Sequence, residues 1–268
     1  RRLQLAPSGR RSALRLRRLR AAGANAGRVQ RAWPDVRVVS SLDPSVYNEL
    51  DLMVPPLVVI DPGHGGKHNL AGSSWNNSRT PGGILEKELT LTYSRLLRND
   101  LFNLADQKGI PLQVLLTRDA DINVSGQNRA SVARESGADR MVVIHFNGFN
   151  GVARGTLQVR RSAAKGNVNV GEDDRFSNRM VDGVVRALQR FDPSAYRRNP
   201  VDLGAVVTSD RYLGNSRRHH PVRCAYMEIE FIDNPAVDFL LNGPRRREVQ
   251  ASVSQAMAQA VYADLLNP

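Results

Sequence analysis

The sequence predicts a single-domain α/β fold, with a mostly parallel central sheet flanked by helices on both faces, and three observations predict it. Short apolar runs of four to six residues recur along the chain. Between them lie longer segments whose apolar residues return every three or four positions, the period of an amphipathic helix. The two kinds alternate from residue 57 to the end, so helices join successive strands and those strands run parallel.

Leu57, Val58, Val59 and Ile60 form the first run, which stops at Asp61-Pro62-Gly63. Four apolar residues without polar alternation indicate a strand buried on both faces. Leu89, Tyr93, Leu96, Leu97, Leu101 and Leu104 then recur at helical spacing, and Gly109 sits where a left-handed C-terminal cap belongs. Residues 112–117 are the next strand and residues 127–135 a polar-faced helix. Met141, Val142, Val143 and Ile144 repeat the buried-strand pattern. Residues 156–160 alternate and are expected as a more exposed strand. Phe176, Met180, Val184, Leu188 and Phe191 mark a second long helix. Residues 224–231 read as a strand, and Val249, Val253, Met257, Val261 and Leu265 mark a closing helix. There is no internal repeat.

Composition changes upstream of this pattern. The formal net charge is +12 over 268 residues, yet residues 1–34 hold ten arginines and no acid, which leaves +2 for the rest. The pI of 10.7 therefore describes a tail and not a basic globular surface. Pro55-Pro56 breaks any regular element. The expected division is 1–55 as a basic N-terminal extension and linker and 56–268 as the globular domain. Residues 1–34 read as a solvated linker; the alternative is contact with an acidic polymer, since arginines release the counterions of any polyanion. The near-neutral remainder, without interleaved basic and aromatic residues, argues against a specific nucleic-acid reader. No run reaches the ~18–20 apolar residues of a membrane span, so no transmembrane segment is expected. The chain begins at Arg1 and not at methionine, which leaves room for a processed leader, but no export signal is visible. Cys224 stands alone in an apolar stretch and is expected to pack rather than react.

Ligands of α/β sheets collect at the C-terminal ends of strands, and two histidines stand there. His64 follows the first buried strand and His145 the third. Gly63, Gly65 and Gly66 surround His64, so the backbone can bend sharply and leave the imidazole open. Glu86, at the start of the first long helix, supplies a third ligand. Two imidazoles and one carboxylate match a catalytic zinc, whose fourth position holds water. Hydrolysis also needs a base outside the ligand set. Glu228 and Glu230 lie in an apolar strand, where a carboxylate is costly without a partner or a task, and strand alternation turns both to one face. Spacing alone leaves the choice between them open.

These residues resemble a known family, the zinc-dependent N-acetylmuramoyl-L-alanine amidases of the amidase_3 type. Ile60-Asp61-Pro62-Gly63-His64-Gly65-Gly66 is similar to the family's opening signature, and Glu86-Lys87-Glu88-Leu89-Thr90-Leu91 to its EKDxxL block. Leu116-Thr117-Arg118-Asp119-Ala120-Asp121, followed by Arg129, resembles LTRxxD…R. Val143-Ile144-His145-Phe146-Asn147 resembles SIHxN, and residues 227–234 resemble VExGFxSN. The resemblance covers roughly residues 57–266.

The resemblance implies a single α/β domain that hydrolyses the amide between N-acetylmuramic acid and L-alanine in peptidoglycan. It places His64, Glu86 and His145 as ligands of one zinc ion per chain, and Glu228 as the catalytic glutamate. Asp61 is expected to orient a ligand histidine, and Asn147 to help stabilise an oxyanion. Glu230 stands where the family usually has glycine, and His68 where an acidic residue is common, near enough to touch the site. Val143 and Phe146 replace small residues and are expected to narrow the pocket. His219 and His220 are expected on a loop surface. No long helical insertion follows Gly155, so the autoinhibitory helix of some cell-division amidases is not expected. A zinc peptidase acting on another wall-peptide bond, or a catalytically inactive wall-binding domain, are the alternatives. The implied location is the periplasm or the extracellular cell wall.

Overall fold

The computed structural model describes Val38–Ser40, as backbone, and residues 55–266. The extension at residues 1–34 lies outside the described residues. Seven strands form one sheet: β1 (Val38–Ser40), β2 (Leu57–Pro62), β3 (Gln113–Leu116), β4 (Arg140–Asn147), β5 (Leu157–Arg160), β6 (Val201–Asp202) and β7 (Arg223–Phe231). Their order across the sheet is β1-β3-β2-β4-β7-β5-β6. The central pairs β3/β2, β2/β4 and β4/β7 are parallel. The outer pairs β1/β3 and β5/β7 are antiparallel, and β6 runs parallel to β5 at the far edge. β1 lies within the segment that the sequence pattern sets outside the domain.

The period of two along each strand builds two cores. Val58, Ile60, Val114, Leu116, Val142, Ile144, Ala225 and Met227 point to one face. There they meet α1 (Glu86–Lys108), α3 (Val170–Gln189) and α6 (Arg246–Leu266) through Leu97, Leu101, Phe176, Met180, Val253 and Met257. Leu57, Val59, Leu115, Met141, Val143 and Cys224 point to the other face, against α2 (Gly126–Ser136) and the short α4 (Asp210–Leu213). Each fully buried side chain of this kind contributes roughly 1.5–3 kcal/mol, which is why the central strands carry no polar alternation.

The helix ends follow from local chemistry. The Glu88 carboxylate accepts the Leu85 N–H at 3.1 Å before α1, and Gly109 (φ 62°) ends it with its N–H on the carbonyls of Ala105 and Asp106. Ser125 accepts the Asn128 N–H to start α2, which Gly137 (φ 75°) closes.

Two expectations need correction. Residues 156–160 were expected to be more exposed, but Leu157 and Val159 are buried, because β5 lies inside the sheet between β7 and β6 and packs against α3. The helix α5 (Pro235–Asn242) was not foreseen; Asn234 caps it by accepting the N–H groups of Ala236 and Val237, and proline occupies its first turn.

Candidate metal centre

The loop after β2 is held in a conformation that its sequence alone would not adopt. His64 has a positive φ of 61°, and Gly65 and Gly66 follow at 130° and 65°. A histidine in the left-handed region costs on the order of 1 kcal/mol or more, so the surroundings must enforce it. Two buried arginines do. Arg118 Nη2 donates to the carbonyls of Gly63 and Lys87, both at 2.8 Å, and its Nε to Pro62 at 3.1 Å. Arg129 donates to the carbonyls of Pro62 at 2.6 Å and His64 at 2.8 Å. Burial and the charge of Arg129 lower Arg118 to about 10, which still leaves it cationic at neutral pH. Lys87 and Asp121 clamp the end of the loop: Lys87 Nζ donates to the Gly66 carbonyl and to Asp121, each at 2.8 Å, and Asp121 accepts the Gly66 N–H at 2.8 Å.

This clamp brings three predicted ligands together. His64 Nε2 lies 2.9 Å from Glu86 Oε1, and His145 Nδ1 lies 3.0 Å from the same oxygen. Ligand atoms of the three side chains all lie within 4.8 Å of one another. His64 Nδ1 faces the Ser74 carbonyl at 2.9 Å; an N–H there sets the tautomer whose Nε2 lone pair points into the cluster. Glu86 is fixed by two backbone donors, Phe146 N–H on Oε1 at 3.1 Å and Ser78 N–H on Oε2 at 3.2 Å. Burial pushes Glu86 up, but when His145 and His64 are protonated their hydrogen bonds and charge outweigh it and hold Glu86 at about 2. Burial lowers His145, favouring neutral imidazole. An ionised carboxylate beside neutral imidazoles is the form in which such groups ligate a metal.

The donor set fits zinc. Ligand atoms at ~2.0–2.1 Å from a tetrahedral ion stand roughly 3.3 Å apart, near the 2.9 and 3.0 Å that separate Glu86 Oε1 from the two histidine nitrogens. His64 Nε2 is buried with no hydrogen-bond partner of good geometry among the described residues. Gly63 leaves room for the cluster: a Cβ there would sit 2.3–2.6 Å from three atoms of the His145 ring.

Glu228 pairs in register with His145 across β4 and β7. It is buried, and its Oε2 has no partner among the described residues. Burial and the neighbouring Glu86 charge push its carboxyl well above the usual range. Glu230 is tied down elsewhere: it accepts the Gly155 N–H at 2.7 Å and pairs with Arg154 at 3.5 Å.

The remaining candidates divide. Asp61 bonds no histidine; it pairs with Arg129 at 2.7 Å and accepts the Thr117 hydroxyl, so it reaches His64 only through the arginine that holds the His64 carbonyl. Asn147 is turned to its own loop, where it accepts the Gly148 N–H at 2.8 Å. His68 is exposed, and its carbonyl accepts from Asn123. Val143 does line the cavity, but Phe146 points to the opposite core, edge-on to Tyr93 at 5.2 Å. His219 and His220 meet edge to face in the loop before β7. Cys224 is buried, as expected.

A cavity of about 290 Å³ opens beside the cluster, lined by His64, His145, Arg129 and Asn77 on its polar side and by Val143, Val207 and Tyr226 on its apolar side. A larger cleft of about 600 Å³ runs between α3 and α6, but its arginines, glutamines and alanines include no histidine or cysteine. The candidate ligand histidines lie at the smaller one. Sequence reasoning assigned no role to the loop clamps Arg118, Arg129, Lys87 and Asp121. Their places in the blocks Glu86–Leu91 and Leu116–Asp121 with Arg129 were the available signal.

A histidine pair and a glutamate converge beside the strand ends, with a separate buried glutamate on the next strand, which defines the class: an α/β protein with a His₂Glu cluster able to hold a metal ion. Comparison with known proteins agrees. The family Amidase_3, N-acetylmuramoyl-L-alanine amidase, matches residues 58–263, and the chain belongs to it. It is 28% identical over 242 residues to the N-acetylmuramoyl-L-alanine amidase AmiC of Neisseria meningitidis, covering 79% of this chain and 54% of that protein. An uncharacterized cell wall amidase of Bacillus anthracis is 29% identical over 219 residues, covering 78% of this chain and 35% of that protein. The chain thus spans between a third and just over half of these relatives. Among solved structures, an N-acetylmuramoyl-L-alanine amidase from Clostridium difficile 630 shares the fold with a TM-score of 0.59 at 22% identity, covering 80% of this chain and 98% of that one. Ami1 from Mycobacterium abscessus does so with a TM-score of 0.56 at 21% identity, covering 80% and 100%.

Proposed function

We propose that this chain is a zinc-dependent N-acetylmuramoyl-L-alanine amidase, which hydrolyses the amide joining N-acetylmuramic acid to L-alanine in peptidoglycan. The observation that carries the reading is the convergence of His64, Glu86 and His145 with Glu228 on the adjacent strand. Family membership supplies the substrate class.

Zinc bound by His64, Glu86 and His145, one ion per chain, would supply Lewis acidity for the scissile carbonyl and for water. The protein's own groups do the rest. Ser74 holds His64 in the ligating tautomer, and the N–H groups of Ser78 and Phe146 hold Glu86. Glu228 takes a proton from the attacking water as its oxygen bonds to the carbonyl carbon. It returns that proton to the L-alanine nitrogen as the C–N bond breaks. Its unpartnered oxygen is available for both transfers. Glu230 holds the Gly155 turn and takes no part. The catalytic unit is residues 56–268, with 1–55 as a basic extension and linker from which Val38–Ser40 adds an edge strand to the sheet. The site of action is the periplasm or the cell wall.

The metal is the part to test first. Purified protein should carry about one zinc per chain, and His64→Ala or His145→Ala should lose it together with release of L-alanine-terminated peptides from muropeptides. Full zinc retention in both variants would remove this ligand set.

A further inference from the structure

One side chain in the cavity has no task in the mechanism above. Tyr226 lies on β7 two residues before Glu228, so strand alternation turns both to one face. Its ring stacks on His145, with centroids 4.9 Å apart and planes 28° from parallel. It lines the same cavity as His64 and His145, beside Val143, Ala205 and Val207. Its side chain packs with the apolar clusters on both sides of that wall.

The hydroxyl is the anomaly. It makes no hydrogen bond among the described residues, and it is not sealed off from the cavity. Phenylalanine would fill the same shape and stack on the same imidazole. A phenol hydroxyl open to a cavity is solvated there and can exchange that water for a group of whatever binds. Protonated at neutral pH, it can donate to an acceptor oxygen of the bound molecule.

The amidase reading supplies one. For attack, the scissile carbonyl has to sit between the ligand cluster and Glu228. Tyr226 touches His145, a member of the cluster, and shares the strand face of Glu228. We infer that Tyr226 is a further catalytic residue, whose hydroxyl donates a hydrogen bond to the carbonyl oxygen of the scissile amide. The bond strengthens as that oxygen gains negative charge in the tetrahedral transition state. Stacking on His145 holds the ring before substrate arrives, so little reorganisation is needed at the moment of reaction. The inference rests on the amidase reading, and its test separates the two.

Tyr226→Phe keeps the ring and removes only the donor. With wild type and variant at equal zinc content, kinetics of L-alanine-terminated peptide release from muropeptides should show kcat about 10–10²-fold lower, with KM within about threefold. That is below the 10²–10³-fold worth of an isolated oxyanion donor, because the metal shares the load. Unchanged kcat would overturn the assignment. So would a rise in KM alone, which would mark a contact made equally in ground and transition states. Tyr226→Leu removes the ring as well and should be no more active than Tyr226→Phe. A crippled leucine variant beside a fully active phenylalanine variant would also overturn the assignment, since the ring and not the hydroxyl would then matter. If wild type itself released no such peptide, the amidase reading would fail first, and with it the premise of this inference.

Discussion

Gly63 is where one added methyl group should separate metal binding from folding. Its φ lies outside the left-handed region, so alanine meets no backbone penalty there. What alanine meets is the His145 ring: the new Cβ would lie 2.3 Å from Cε1, 2.4 Å from Nε2 and 2.6 Å from Nδ1. Carbon atoms rest at ~3.5 Å or more, so the imidazole must retreat by about 1 Å. Retreat is hindered on the far side, where Tyr226 stacks on the ring. Metal–ligand distances tolerate only ~0.2 Å, so a displacement of this size removes His145 from the ligand set. Gly63→Ala should therefore lose zinc and fall at least ~10²-fold in activity, the cost of a 1 Å misplacement of a reacting group. The loop should stay folded, because the arginines that hold it donate to backbone carbonyls that the methyl group does not touch. Zinc content by atomic emission, muropeptide hydrolysis and a thermal melt on one preparation decide the matter. A Gly63→Ala protein with full zinc and full activity would refute the placement of the ring.

Three further outcomes are expected. Glu228→Gln should bind zinc normally yet lose on the order of 10²–10⁴-fold in rate, whereas Glu230→Gln should stay within about threefold, because glutamine still accepts the Gly155 N–H; the reverse result in muropeptide assays would swap their roles. Arg129→Met leaves the Asp61 carboxylate buried without its cation, which costs about 3–5 kcal/mol and should lower Tm by roughly 10 °C for a domain of this size; a shift below about 2 °C would show that the clamp contributes little. Asp173 is raised to about 7 by burial, against hydrogen bonds from the Cys224 N–H, Asn167 and Asn169. An acid raised above its unfolded value of 3.8 contributes stability that is full below that value and lost as pH rises through about 7, so Asp173→Asn should flatten the decline of Tm between pH 4 and pH 8, and an unchanged slope would contradict the assignment.

The parts of this protein that were legible in its sequence are those where one physical demand dominates. Val58 and Ile60 must be buried on one face and Leu57 and Val59 on the other, and only a strand covered by helices on both sides does that. Gly109 ends its helix because its backbone turns left-handed. Two histidines at strand ends pointed to the cluster before any distance was known. Residues whose setting contradicts their type were harder to place. Arg118 is charged yet wholly buried; its reason is a set of loop carbonyls that exists only once the loop has folded. Asp61 looked like a partner for histidine but is claimed by Arg129, 68 positions away. Phe146 follows His145 directly, and strand alternation sends it to the opposite core, away from the pocket it was expected to narrow. Tyr226 read as one more apolar strand residue; its stacking on His145 depends on β4 and β7 being neighbours, which no local pattern reveals.

The central claim is that His64, Glu86, His145 and Glu228 together cut one particular bond. Mass spectrometry of purified peptidoglycan tests it most directly, after incubation with the protein alone, with a zinc chelator, and with zinc restored. The account predicts stem peptides with a free L-alanine amino terminus and glycan chains whose muramic acid carries a free lactyl carboxylate, both abolished by the chelator and recovered with zinc. Peptides cut at any other bond, or the same products undiminished under chelation, would contradict it.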